Sequence, residues 1–363
     1  MKKERVEYLD SLKAIAIFLV VFCHFVLLSE TVAANLFMSA CWMAVPVFFM
    51  VNGALLFARP LDLKKHVRKT IGIYGVLVVW KLIYMLLIPV FTHTPVAGGS
   101  TGEILNYLFL FGELPGIING HLWFIEALLA VYALFPLVRL AGDSREGRPL
   151  LWGIALLALF FTNGLSSLEV LGNMLRTAGI PFPLTFEPLA AFQPFGKYGN
   201  MLGFFLLGAL LAEREKTWTG TKAGQRILGA VMLTGGLAAL WGVKWFLSGR
   251  AAWDGNLLQD GYRHVPVIFM GTGLFLLLKD TKIRWAWLRV PVEAVASRTL
   301  GIFYIHWLFG WLLVNPLAAW LLNRGISFSV GTNILKNILL MAPAFIVTLL
   351  LERIPVVKKL VKG

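Results

Sequence analysis

Charged side chains are scarce in this chain. Asp, Glu, Lys and Arg make up 14% of its 363 residues, while 58% are hydrophobic. Soluble domains carry roughly a quarter charged residues, so the composition excludes a soluble globular protein. Cysteine is nearly absent: Cys23 and Cys41 are the only two, both inside apolar runs. They supply neither a disulfide framework nor a metal-ligand spacing, and packing is their expected role. Acidic residues number 19 against 33 Lys and Arg, a formal net charge of +14. No internal repeat and no low-complexity segment stands out.

What fills the chain instead is a series of apolar runs. They fall near 9–29, 36–57, 70–91, 121–140, 150–165, 199–212, 225–247, 264–279, 297–318 and 334–351. Runs of roughly 20 apolar residues mark bilayer-spanning helices. The predicted fold is therefore all-α, a polytopic transmembrane helix bundle with about ten spans. The distribution of cations sets its expected topology. With the N-terminus inside, 24 Lys and Arg fall in inner segments, five in outer loops and four within spans. That asymmetry predicts both termini cytoplasmic, and the basic excess suits anionic lipid, with no nucleic-acid partner expected. Lys2, Lys3 and Arg5 look like the start of a signal peptide. The run after them is longer than a usual signal core and holds ionisable groups, so an uncleaved first span is expected. The whole of 1–363 reads as one integral membrane domain with no appended soluble domain. The outer loops 92–120, 166–198 and 248–263 are long and irregular, which suits recognition on that face or plain capping of the bundle.

Polar residues interrupt the first run, YLDSLKAIAIFLVVFCHF. On a continuous helix, the eleven steps from Lys13 to His24 make about 1100°, or three turns plus about 20°, and about 16 Å of rise. Asp10 shares the stripe. Ionisable groups at that depth avoid lipid, so the stripe faces the bundle interior or a wet cavity. The plain reading of Asp10 and Lys13 is an i, i+3 ion pair at a helix start. An intramembrane histidine is a functional candidate by default. His121 opens the fourth run, with Glu126 farther along it, and His264 opens the eighth. Three same-side histidines suggest a polar chamber. Lys64, Lys65, Arg68 and Lys69 sit beside the membrane on the inner side, as topology charges or as contacts for a polyphosphate.

Four segments in order, YLDSLKAIAIFLVVFCH, VPVFFMVNGALLF, HLWFIEALLAVYALFPL and ASRTLGIFYIHW, resemble the membrane acyltransferases known as the acyltransferase 3 family. In the first, a basic residue precedes a histidine by eleven positions, as in the family's first helix. Within the family the chain looks closest to the type that O-acetylates enterobacterial common antigen. It departs in having Lys13 where arginine is usual, Ala14 for glycine and Asn52 for serine. Lysine keeps the charge and loses the bidentate fork.

The resemblance implies an acyl-CoA donor on the cytoplasmic side, acetyl-CoA or another short acyl-CoA. It also implies a hydroxyl acceptor on a sugar or lipid-linked glycan, in a multi-pass protein of the bacterial inner (plasma) membrane. No metal is expected. On this footing His24 is the candidate general base, or the site of an acyl-histidine. His121 or Glu126 orients it or holds the acceptor. Lys13, positioned by Asp10, and Arg68 are candidate contacts for the CoA phosphates. Trp123, Trp253, Asp254 and His306 are candidate acceptor contacts, although plain packing is the first expectation for His306. The competing reading is a glycan or small-solute exporter, since buried polar residues mark translocation paths as readily as active sites. A transporter would favour interrupted helices in matching halves, and no such symmetry stands out in the sequence.

Overall fold

The computed structural model describes residues 6–28, 31–92, 99–117, 120–144, 146–213, 220–247 and 261–362. In chain order its α-helices begin with α1 (Glu7–Phe22), α2 (Val32–Cys41), α3 (Ala44–Phe57), α4 (Leu63–Thr92), α5 (Thr101–Phe109), α6 (Trp123–Gly142), α7 (Gly147–Leu159) and α8 (Leu165–Thr177). There follow α9 (Glu187–Ala190), α10 (Gly199–Ala212), α11 (Lys222–Leu247), α12 (Val265–Leu278) and α13 (Ala286–Ala296). The last are α14 (Thr299–Phe309), α15 (Asn315–Asn323), α16 (Val330–Leu351) and α17 (Lys358–Lys362). No strand occurs among the described residues.

Among the described residues, seven segments are long and apolar enough to cross a membrane: Val32–Phe57, α4, Gly120–Gly142, Gly147–Thr177, α11, Thr299–Asn323 and α16. The apolar helices α10 and α12 are shorter. Together with α1, which has 16 residues, these account for the ten expected runs. The chain is a multi-pass, all-helical membrane protein.

Two expected loops contain helix. The segment 166–198 starts with α8, which continues α7 through a five-residue π-helical segment, Phe160–Gly164. Arg176 holds the return of the chain onto α8: its guanidinium donates to the carbonyls of Phe182 and Leu184 and to Glu169 and Asn173. The segment 92–120 holds α5. Ser100 caps it by accepting from the Glu103 amide, while the Glu103 carboxylate accepts from the Ser100 amide at 2.7 Å. That reciprocal box satisfies two of the donors a helix start leaves open.

The chain divides into two compact units. The first comprises Met1–Val20, Ser29–Leu61 and Leu134–Ala296. In bilayer helices the association energy comes from close packing more than from the hydrophobic effect, and α3 against α10 shows how close. A Cβ on Gly53 would sit 1.8 Å from the Phe205 carbonyl oxygen, and one on Gly208 would sit 2.1 Å from that of Met50. Only glycine at both positions lets these backbones meet. Asn163, fully buried in the π-helical segment, donates to the carbonyls of Tyr262 and His264, both at 3.0 Å.

The second unit comprises Val21–Leu28, Asp62–Ala133 and Ser297–Gly363. Helix α4 shows why its polar residues point inward. Leu63, Val67, Ile71, Val79, Leu82, Leu86 and Val90 are exposed at helical spacing and form an apolar lipid-facing stripe. The opposite stripe, His66, Ile73, Leu77, Trp80, Lys81, Tyr84 and Ile88, is buried. Trp80 stacks on Tyr304 at 5.1 Å and donates its indole N–H to the Leu360 carbonyl. Arg298 and Lys362 both pair with Glu352.

Candidate functional site: a three-histidine cluster

The second unit gathers three histidines that lie far apart in the chain. Helix α1 stops at Phe22, and the segment that follows is held by the first turns of α16. Lys336, fully buried, extends Nζ to the carbonyls of Phe22 at 2.7 Å, His24 at 2.9 Å and Val21 at 3.2 Å. A cation there complements the negative end of the α1 dipole. Asn333 accepts from the Leu27 amide at 2.9 Å, and the Thr332 hydroxyl donates to the Leu27 carbonyl at 2.9 Å. Phe25 takes a left-handed backbone, φ 48°. Its ring fills the space beside Gly310, where a Cβ would lie 2.0 Å from it. Gly310 opens a second π-helical segment, Gly310–Val314, a feature often found beside functional sites.

This scaffold places His24 against α14. His24 Nδ1 is 2.9 Å from His306 Nε2, and the two rings lie edge to edge and nearly parallel, 14° apart with centroids 5.2 Å apart. His121, in the 3-10 turn Gly120–Leu122 ahead of α6, lies 6.4 Å from the His24 ring and 5.5 Å from that of His306. Trp307 closes the group, stacking on His121 at 4.6 Å and meeting His24 edge-on at 4.8 Å. His306 is fully buried and His121 nearly so, whereas His24 is partly exposed. The Tyr84 hydroxyl bonds the Tyr304 carbonyl at 2.5 Å and stands 3.3 Å from His121 Nε2. His121 Nδ1 is buried and meets no partner among the described residues.

The helix arithmetic linking Lys13 to His24 does not carry through, because α1 ends two residues before His24 where Lys336 and Asn333 take its carbonyls. Lys13 belongs to the first unit and pairs with Asp10 at 3.7 Å, the plain i, i+3 arrangement. Glu126 forms an ion pair with the buried Lys81 at 3.0 Å, one turn along from the Tyr84 and His121 contact. Lys81 also lies over the rings of Tyr107 and Phe111. Arg68 is exposed in the first turns of α4, and Trp123 is partly exposed at the start of α6. His264 is in the first unit, where its carbonyl accepts from Asn163. Trp253 and Asp254 lie outside the described residues.

Sequence reasoning passed over Tyr84, Trp307 and Lys336. The two lysines Lys81 and Lys336 carried a signal, since a charge within a span is costly unless it does something. Tyr84 and Trp307 carried none, being ordinary residues of apolar helices.

A multi-pass helical membrane protein whose second unit gathers three histidines is a frame for proton-transfer chemistry at an imidazole. The family model described as "Acyltransferase domain", that of acyltransferase 3, matches residues 6–353, and the chain belongs to this family of membrane acyltransferases. Neither the curated proteins nor the solved structures contain a match to it.

Proposed function

We propose that this membrane acyltransferase moves a short acyl group from acyl-CoA to a hydroxyl of a cell-surface or lipid-linked glycan, with His24 as the base. The observation that carries the reading is the contact of His24 with His306 beside His121, which leaves His24 Nε2 with no hydrogen-bond partner among the described residues. A free imidazole nitrogen suits removal of the hydroxyl proton as the oxygen attacks the thioester. His121, whose Nδ1 is unpartnered, receives a second donor group of the acceptor. On the donor side, Lys13 with Asp10, and separately Arg68, are the phosphate contacts. Glu126 serves through Lys81 as part of the wall. O-acetylation, acetyl-CoA as the donor, an acceptor of the enterobacterial common antigen type, and a bacterial inner membrane with both termini inside follow from the sequence resemblance and the cation asymmetry.

The test is acyl transfer by purified protein in detergent, coupled with mass spectrometry of surface glycans from cells carrying the His24→Ala variant. Loss of transfer of at least about a hundredfold with normal insertion is expected. Undiminished transfer removes His24 from the chemistry. The exporter reading has one observation in its favour: each unit contains a span interrupted by a π-helical segment, Phe160–Gly164 in one and Gly310–Val314 in the other. Export needs sealed vesicles and chemistry does not, so transfer in detergent decides between them.

A further inference from the structure

Two hydrogen-bond chains begin on successive carbonyls of one turn of α14. In the first, His306 Nδ1 lies 2.8 Å from the Phe303 carbonyl and 3.1 Å from that of Ile302. Carbonyl oxygens only accept, so this nitrogen bears the hydrogen, and in a neutral imidazole Nε2 is then a lone pair. An imidazolium at His306 would be a fully buried charge. The charged side chain that meets the His24 segment, Lys336, has the same sign, so the neutral form is the one the packing supports. His24 Nδ1, 2.9 Å away, must therefore donate, which leaves the lone pair of His24 on Nε2. In the second chain the Tyr84 hydroxyl donates to the Tyr304 carbonyl, accepts from His121 Nε2, and leaves His121 with a bare Nδ1.

We propose that His306 is a positioning residue: held by the carbonyls of Ile302 and Phe303, it fixes His24 as the Nδ1–H tautomer and aims Nε2 outward as the base. This rests on the acyl-transfer reading above and adds how the base is set. It also fixes the proton's path. As the hydroxyl oxygen bonds to the thioester carbonyl carbon, its proton passes to His24 Nε2. As the carbon–sulfur bond breaks, the same nitrogen returns that proton to the departing thiolate. His121 presents an acceptor in this state, so His24 serves both steps.

The test combines a spectroscopic readout with turnover. Nitrogen-15 NMR of histidine-labelled protein in detergent, with the His24 signals assigned by their loss in His24→Gln, reads which ring nitrogen carries hydrogen. The wild type should show His24 protonated at Nδ1 and bare at Nε2. His306→Gln, whose side-chain carbonyl still accepts near the old Nε2 position, should keep that tautomer and stay within about tenfold of wild-type kcat. His306→Leu should mix the tautomers and lower kcat about ten- to a hundredfold with little change in KM. A wild-type His24 protonated at Nε2, or a His306→Leu protein with the tautomer and kcat unchanged, overturns the proposal. Should the wild type transfer no acyl group at all, the acyl-transfer reading fails, and the NMR result still decides the tautomer.

Discussion

Replacing Lys336 with methionine should separate folding from placement of His24. The ammonium has three carbonyls around it, but they do not depend on it equally. Val21 O also accepts from the His24 amide at 3.2 Å, and Phe22 O from Asn333 Nδ2 at 3.4 Å. The His24 carbonyl has Lys336 as its one donor among the described residues. Losing it costs about 1–3 kcal/mol for a stranded buried acceptor, and losing the cation at a helix C-terminus up to about 2 kcal/mol. Against this, no ammonium need be stripped of water, a relief of several kcal/mol, and methionine fills much of the same volume. The two sides are of similar size, so net stability should move by about 2 kcal/mol or less. Intrinsic tryptophan fluorescence during heating in detergent should show a Tm within several degrees of wild type. Turnover should fall at least tenfold, because the peptide carrying His24 has lost the anchor that holds it at the end of α1. Turnover within twofold of wild type would refute the anchoring role. A collapse of Tm by well over ten degrees would show that Lys336 holds the fold and not the base.

The ion pair of Lys81 and Glu126 has a different signature. Lys81→Met alone should leave a poorly solvated carboxylate and cost about 3–5 kcal/mol, while Lys81→Met with Glu126→Leu should recover most of that, as read by a double-mutant cycle on thermal unfolding. Gly208→Ala should reduce the yield of folded protein on size-exclusion chromatography, since its Cβ would meet the Met50 backbone at 2.1 Å and neither helix can give way cheaply. The cap on α5 is pH-dependent: hydrogen bonds from Ser100 hold the Glu103 carboxyl below its ordinary value of 4.5. A depressed carboxyl pKa means the cap is intact above about pH 4.5 and is lost as the pH falls further. Hydrogen exchange at the α5 amides should accelerate over that range; Glu103→Gln should remove the effect, and Ser100→Ala, which keeps the larger contribution of the backbone amide, should only weaken it.

Much of this was legible from the residues. The apolar runs map onto the spans because a bilayer leaves a helix few alternatives. Asp10 and Lys13 pair as an i, i+3 couple should, a purely local matter. His24, His121 and His306 each interrupt an apolar segment, which is the mark of a residue kept at a cost. What was hidden is where α1 ends. Nothing in LVVFCHF stops a helix; the stop comes from Lys336 and Asn333, more than 300 positions later. Glu126 points to Lys81 for the same reason, a partner set by the register of α4 against α6. Trp307 needed the π-helical segment to be known before its place could be.

The costs in the second unit are not spread evenly. Phe25 adopts a backbone conformation worth about 1–3 kcal/mol of strain for a bulky residue. Lys336 is a fully buried charge, the span after Trp307 gives up regular helix at Gly310–Val314, and His121 Nδ1 is buried with no hydrogen-bond partner among the described residues. Three of them have a substitute without that cost: asparagine for the left-handed backbone at 25, an aliphatic residue at 336 and phenylalanine at 121. A sequence shaped for stability alone would adopt them. Phe25 belongs to the segment from Val21 to Leu28 and the other three touch it: Lys336 and His121 meet His24, and Gly310 meets Phe25. Costs gathered around one segment indicate that its conformation is held against the preference of the fold. It follows that Lys336→Met and His121→Phe should each keep the Tm in detergent within several degrees of wild type while lowering turnover, the trade expected where stability is given up for activity.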